Sequence, residues 1–270
     1  MFDRTMSART DVTLRRHAWD ECGCRKLKPV QDLQYEQLAK YYDMVRKPND
    51  YKSQAKTLKG LISKYKVSSG KALLDVGCGT GGHLKHLVSD FDCTGLDLHE
   101  GMLRIARENI SGVRFSRASM IDFRLGRKFD IILCMYSTIC LVRTYRNLER
   151  TIRNFSNHLR KGGIVILESD SFSDSGSPLP HMNLVTAESS DTKIAKLEYY
   201  QRRGNVLVER EDYLVAERGK GIKHYADLQY AGMFGLRETM QVMLRTGLEP
   251  IFLKRALRRD VGLLIGTKVI

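Results

Sequence analysis

The run Leu73-Leu74-Asp75-Val76-Gly77-Cys78-Gly79-Thr80-Gly81-Gly82 constrains this chain more than any other feature: an apolar strand empties into a glycine-rich turn. A short continuous apolar run bounded by glycine reads as a strand buried on both faces, the habit of parallel sheets. The glycines let the backbone approach a ligand, and a helix that opens at such a turn points its unpaired amides at it. A glycine cluster alone is weak evidence. Here a second apolar segment ends in Gly95-Leu96-Asp97-Leu98, about 20 residues further on, where a carboxylate can take both hydroxyls of a ribose.

The surrounding sequence alternates as that turn requires. Strands are predicted at Ala72 to Val76, Cys93 to Leu98, Val113 to Ala118, Phe129 to Tyr136 and Ile164 to Glu168, with helices near Gly82 to Ser89, Gly101 to Asn109 and Tyr145 to Leu159 between them. Short apolar strands separated by helices make parallel βαβ units. Before them, Leu33, Leu38, Tyr41 and Tyr42, a break at Lys47-Pro48-Asn49-Asp50, and then Leu58, Leu61 and Ile62 predict two helices over 31–66. From Ser169 to Met233 the period changes. Ile194 to Tyr200, Val206 to Val215 and Ile222 to Tyr230 are β-branched and aromatic, with turn signals at Gly204 and Gly219-Lys220-Gly221, which predicts an antiparallel insertion. A helix from Leu236 to Thr246, closed by Gly247, and strands near Pro250 to Leu253 and Val261 to Val269 complete the chain. The expected fold is α/β: a doubly wound, seven-stranded, mostly parallel sheet over residues 31–270, with a small antiparallel β insertion within 170–233 that covers the substrate.

Composition sets the outer limits. With 270 residues, 42% hydrophobic and 28% charged, the chain can bury a full core. No run approaches the roughly 20 apolar residues of a membrane span, and no apolar stretch follows the basic N-terminus, so neither a membrane anchor nor a secretory signal is expected. Residues 1–30 read as a disordered basic tail. Of six cysteines, Cys22-Gly-Cys24 lacks zinc-site spacing, and Cys78, Cys93, Cys134 and Cys140 fall in or beside core strands. Reduced thiols in the cytoplasm are the expectation. His83 and His86 have no third partner, and no metal is expected. The net charge of +14 attracts RNA, an anionic surface or a phosphorylated small molecule, yet the arginines are dispersed along the chain and no RNA-binding module is present.

Asp75 two residues before Gly77, with the loop GCGTGG, resembles motif I of class I methyltransferases, a Rossmann-like family. That resemblance implies S-adenosylmethionine as cofactor, with Asp75 and the loop Gly77, Cys78, Gly79 and Thr80 at its amino-acid end and Asp97 at its ribose. Several segments are similar to one branch, the N,N-dimethyltransferases of TDP-linked amino sugars. They are Tyr42-Asp43 with Asp50-Tyr51, His83 to Leu87, Met120 to Phe129, Met135 to Ile139, and Gly221-Ile222-Lys223-His224. By analogy Tyr42, Tyr51, His83, Leu98, Met102, Ser119, Met120 and Met135 join the cofactor site, and Tyr42, Tyr136, Glu168 and His224 are the candidate catalytic groups. The chain departs from the branch in three places. Ala118-Ser119 replaces a Gly-Asp pair, Leu141 stands where the branch has an aromatic or imidazole ring, and Ser169-Asp170 replaces two tryptophans after Glu168.

The favoured function is N-methylation of a small polar acceptor such as a nucleotide-linked amino sugar, with Arg202, Arg203, Lys220 and Lys223 facing its phosphate. The alternatives are an RNA or protein methyltransferase with a basic surface, and a non-catalytic subunit that binds S-adenosylmethionine. Nucleic acid as partner stays secondary, and the oligomeric state, a homodimer included, is open.

Overall fold

The computed structural model describes residues 30–46, 50–172, 179–258 and 261–269. The expected basic tail, Val30 apart, lies outside the described residues, as do Cys22 and Cys24. The described chain begins with β1 (Val30–Gln31), 3-10 turns at Leu33–Tyr35 and Ala39–Tyr41, the single turn α1 (Tyr42–Val45) and the long α2 (Tyr51–Tyr65). Then come β2 (Ala72–Val76), α3 (Leu84–Leu87), β3 (Asp92–Asp97), α4 (Glu100–Asn109), β4 (Arg114–Arg117), β5 (Phe129–Cys134), α5 (Tyr145–His158) and β6 (Leu159–Ser169). Four strands follow, β7 (His181–Glu188), β8 (Thr192–Arg203), β9 (Val206–Glu217) and β10 (Gly221–Gly232), and the fold closes with α6 (Leu236–Arg245), β11 (Leu248–Leu253) and β12 (Gly262–Lys268).

The main sheet has seven strands in the order β11-β12-β6-β5-β2-β3-β4. β2 pairs in parallel with both β3 and β5, while β12 is antiparallel to β6 and to β11. The chain therefore winds outward in two directions from β2 and β5, and the crevice beyond their carboxyl ends is where such sheets bind ligands. Alternate residues of these strands feed opposite faces. Leu74, Val76, Ile132 and Cys134 pack with Leu148, Ile152 and Phe155 of α5 and Val242 and Met243 of α6. Leu73, Ile131 and Leu133 pack with Ala55, Leu58 and Ile62 of α2 and Leu84 and Leu87 of α3. Both faces are covered, so β2 and β5 are buried at every residue.

The second sheet is antiparallel apart from β1, in the order β1-β10-β9-β8-β7. The insertion thus holds four strands, one more than the sequence pattern indicates. β7 escaped because its residues, all exposed or half-buried, show no apolar alternation. The segment before α2 also differs from the expected helix. The Asp227 carboxylate of β10 accepts from the amides of Leu33 and Gln34, both at 3.1 Å, and the Tyr35 hydroxyl donates to Gln229 Oε1 at 3.1 Å. Those tertiary bonds take the donors that a continuous helix would use, and the segment becomes a strap. The strap also reaches the main sheet, since the Gly101 amide at the start of α4 donates to Glu36 Oε2 at 3.0 Å. The helix expected over 82–89 is a single turn. Among the described residues no helix is long and apolar enough to cross a membrane.

Candidate active site

The glycine loop leaves β2 with positive φ at Gly77 (69°), Gly79 (55°) and Gly81 (85°), a region that disfavours side chains. At Gly77 the close approach matters as well, because a Cβ would stand 2.3 Å from Thr138 Cγ2. The amides of Gly77 and Cys78 both donate to Leu96 O, at 2.7 and 3.1 Å, which ties the loop to β3. Asp97 at the end of β3 fixes it further: its Oδ2 accepts from Gly79 N and its Oδ1 from His99 N, each at 2.9 Å. The loop and Asp97 therefore converge on one edge of the sheet.

Asp75 is 2% exposed, and no hydrogen bond to its carboxyl exists among the described residues. Burial, and then the nearby Asp97 carboxylate, push it up to about 7. A buried carboxyl without donors is costly unless a cation arrives to pair with it. It faces a cavity of about 360 Å³ lined also by Gly77, Gly79, Thr80, Asp97, Met102 and Ser119, a volume within the usual range for a cofactor site. These residues suit S-adenosylmethionine. Asp75 would offer an anion to its amino group and Asp97 would have lone pairs left for the ribose, and Leu98, Met102, Ser119 and Met120 line the same cavity.

Beside the loop, Tyr51, His83 and Tyr136 form an aromatic corner with ring centroids 5.1 to 5.9 Å apart. Gln54 organises it: its Oε1 accepts from the Tyr136 hydroxyl at 2.8 Å and sits 2.9 Å from His83 Nε2. Burial holds the His83 imidazole down to about 4, so it is neutral and donates through Nε2. Tyr136 and Ser137 both take positive φ, 52° and 57°, unusual for residues with side chains. Glu168 Oε2 holds this turn by accepting from Tyr136 N at 2.8 Å, and Ser137 Oγ donates to Asp170 Oδ2 at 2.8 Å.

The opposite wall of the cavity comes from the strap and the second sheet: Tyr35, Tyr42 and Arg46 from the former, Tyr200, Leu207, Glu209, Gln229 and Ala231 from the latter. Sequence reasoning missed this wall apart from Tyr42. Lys196, Glu198 and Tyr200 on β8 and Glu209 and Glu211 on β9 recur at every second position, but only strand register shows that this face turns inward. Gln54, Arg46 and Arg258 were missed too, and single polar residues of that kind carry no local pattern.

Fifteen of the expected residues line the cavity together: Tyr42, Tyr51, Asp75, Gly77, Cys78, Gly79, Thr80, His83, Asp97, Leu98, Met102, Ser119, Met120, Met135 and Tyr136. Two candidate catalytic groups do not. Glu168 is buried, and both its oxygens are engaged, one by Tyr136 N and the other by Arg258 Nε at 2.7 Å, so it shapes the turn and is not a free base. His224 lies on the outward face of the second sheet, exposed and 2.9 Å from Asp212 Oδ1. Arg202, Arg203, Lys220 and Lys223 are also exposed and outside the cavity. The guanidiniums that line it are Arg46, Arg143 and Arg258.

Comparison with known proteins bears on the family and the fold. Residues 73–163 match the methyltransferase domain family. The chain is 30% identical over 223 residues to the dTDP-3-amino-3,4,6-trideoxy-alpha-D-glucopyranose N,N-dimethyltransferase of Streptomyces venezuelae, covering 80% of this chain and 92% of that protein. The crystal structure of Streptomyces venezuelae DesVI superposes with a TM-score of 0.78 at 29% identity, over 86% of this chain and 98% of that one. CalS10, an amino pentose methyltransferase from Micromonospora echinaspora solved with S-adenosylmethionine bound, gives a TM-score of 0.72 at 26% identity, over 82% and 93% of the two chains.

Proposed function

The chain belongs to the S-adenosylmethionine-dependent methyltransferases, the family of its dTDP-amino-sugar N,N-dimethyltransferase relative, and from that premise we propose that it methylates the amino nitrogen of a nucleotide-linked amino sugar. The observation that carries the proposal is the single cavity that runs from Asp75 and Asp97 to Tyr200, Glu209 and Gln229. A cofactor at one end and a polar, hydrogen-bonding wall at the other suit a small acceptor with several hydroxyls.

When bound, S-adenosylmethionine supplies an electrophilic methyl group on a sulfonium. The protein's part is to align the acceptor, exclude water and manage its proton. Asp75 would pair with the cofactor's amino group and Asp97 with its ribose hydroxyls. The ring faces of Tyr51, Tyr136 and His83 suit a cationic centre. Tyr136 is a neutral donor at pH 7, because burial raises its hydroxyl above the ordinary tyrosine range. Of the guanidiniums that line the cavity, Arg258 is committed to Glu168 and Asp170, and the exposed Arg143 is the cation open to a diphosphate. A cytoplasmic setting suits Cys78, Cys93, Cys134 and Cys140, which are all free and buried.

The test is incubation of the purified protein with methyl-labelled cofactor and dTDP-3-amino-3,4,6-trideoxyglucose, alongside cell extract divided into small-molecule, RNA and protein fractions. Label in the sugar supports the reading. Label confined to nuclease-sensitive RNA or to protein overturns it, as does cofactor binding with no transfer anywhere.

A further inference from the structure

We propose that Glu209 on β9 receives the acceptor's amino nitrogen as an ammonium ion and takes the proton that must leave before methylation. The inference rests on the acceptor being an amine, as read above.

Strand register defines the inward face of the second sheet. Tyr200, Glu209 and Gln229 stand abreast in one row, Glu198, Glu211 and Asp227 in the next, and Lys196, Tyr213 and Tyr225 in the third. Four carboxylates therefore share a buried face with few cations. Three of them have partners of their own. Lys196 is salt-bridged to Glu198 and lies 2.8 Å from Glu211 Oε1, the Tyr213 hydroxyl donates to Glu211 Oε2 at 2.8 Å, and Asn183 donates to Glu198 Oε2 at 2.8 Å. Asp227 accepts from the strap amides of Leu33 and Gln34.

Glu209 is different. The Tyr200 hydroxyl is its hydrogen-bond partner, and no cation pairs with it within 4.0 Å among the described residues. One oxygen from each of Glu198, Glu209 and Glu211 lies within 4.8 Å of the others. The crowded negative charge is thus left without a contacting cation at the one of these four carboxylates that lines the cavity, where the Arg46 guanidinium opposes it through space. A metal ion does not answer this demand, because the Lys196 ammonium already bridges Glu198 and Glu211. A monocation entering from the cavity can still reach Glu209, with Gln229 Oε1 as a second acceptor beside it.

An alkylammonium has no lone pair to offer an electrophile, so its proton has to leave first. The step balances as R–NH3+ with the Glu209 carboxylate giving R–NH2 with the Glu209 carboxylic acid. One N–H bond breaks, one O–H bond forms, and the electron pair stays on nitrogen as the nucleophile. Burial and the Glu211 charge push Glu209 up to about 7, against the opposing pull of Arg46, Tyr200 and Lys196. That places it closer to an amine than an ordinary carboxyl is. The ionisable groups facing it are Tyr35, Tyr42 and Arg46 from the strap, Lys196, Glu198 and Tyr200 from β8, Glu211 and Tyr213 from β9, and Asp227 from β10.

The test compares wild type with Glu209→Gln, Glu209→Asp and Tyr200→Phe. The probes are dTDP-3-amino-3,4,6-trideoxyglucose and its 3-hydroxy counterpart, titrated calorimetrically without cofactor and then assayed for methyl transfer from pH 6 to 9. Wild type is expected to bind the amine at least about tenfold more tightly than the alcohol, and Glu209→Gln to lose that preference. Its kcat/KM for the amine falls about 100-fold at neutral pH, with melting temperature and cofactor affinity unchanged. Glu209→Asp recovers part of the rate. Should the glutamine variant not fold, Tyr200→Phe decides: loss of a hydrogen bond to the carboxylate moves the acid limb of the pH profile upward. An unaltered amine preference and pH profile in the variants, with wild type active on the sugar, overturns the role of Glu209 alone. Wild type that neither binds nor methylates the amino sugar overturns the substrate reading, and the role of Glu209 with it.

Discussion

The two sheets solve opposite problems with their buried surface. In the seven-stranded sheet, β2 and β5 bury leucine, isoleucine and valine on both faces, and the polar chemistry stands at the carboxyl edge, at Asp75, Asp97 and the glycine loop. In the five-stranded sheet the inward face itself carries charge, with Lys196, Glu198, Glu211 and Asp227 nearly inaccessible to solvent. The first sheet is a scaffold that displays a site beyond its strands. The second is a wall whose strand faces are the site, stabilised by pairing each charge and left incomplete where it meets the cavity.

The largest expected effect breaks that pairing. Lys196→Met strands Glu198 and Glu211 without their shared cation, and removal of one partner from a buried ion cluster costs about 3–5 kcal/mol. Denaturant unfolding should show that loss, and a Lys196→Met/Glu211→Gln double variant should regain part of it. A loss below about 1 kcal/mol would mean that water reaches this face. For scale, Leu74→Ala in the apolar sheet, where the side chain is 0% exposed, should cost about 2–5 kcal/mol through its cavity alone.

Next in size is the edge of the main sheet. Asp97→Ala removes the acceptor for the amides of Gly79 and His99 as well as the expected ribose ligand. Cofactor affinity should weaken by at least about tenfold, as for loss of a charge-assisted hydrogen bond. Unchanged affinity by calorimetry would separate Asp97 from the cofactor.

A third, smaller effect is the pH dependence of the same edge. Asp75 is raised from 3.8 to about 7 by burial and Asp97. In the free protein the folded state keeps a proton that the unfolded chain has already released, so this group lowers stability progressively as pH rises between those two values. A bound ammonium reverses the sign by favouring the ionised form. The cofactor's stabilisation of the fold should therefore be greater at pH 8 than at pH 6, read as the shift in melting temperature. Asp75→Asn should remove the difference. Equal shifts in wild type at both pH values would show that Asp75 does not meet the amino group.

The two sheets also differ in how much of them the sequence discloses. β2 and β3 are apolar runs ending in glycine and aspartate, so a local pattern announces strand, turn and carboxylate together, and the expected strand boundaries there agree to within about one residue. The second sheet hides its chemistry. Glu209 means nothing until register places it beside Tyr200 and Gln229 and the strap closes over them, and none of those contacts is local. The strap fails as a predicted helix for the same reason, since the group that caps Leu33 and Gln34 is Asp227, 194 and 193 residues away. Glu168 illustrates the reverse error. The family resemblance made it a candidate base, and the Tyr136 amide and Arg258 have already taken its oxygens.

The smallest expected effect tests the inward and outward division of the second sheet directly. His224 pairs across the ladder with Leu214, whose side chain is 51% exposed, whereas Tyr213 and Val215 flank that position on the buried side. The imidazole is 42% exposed and contacts Asp212, and a surface pair of this kind is worth at most about 1 kcal/mol in water. His224→Ala should leave kcat/KM within about twofold of wild type and barely alter unfolding at pH 8. Glu209→Gln, two residues from Glu211 on the buried face of the neighbouring strand, should by contrast be severely impaired. A tenfold loss of activity in His224→Ala would require the acceptor to extend around the sheet to its outer surface, and the assignment of one face to chemistry and the other to solvent would fail.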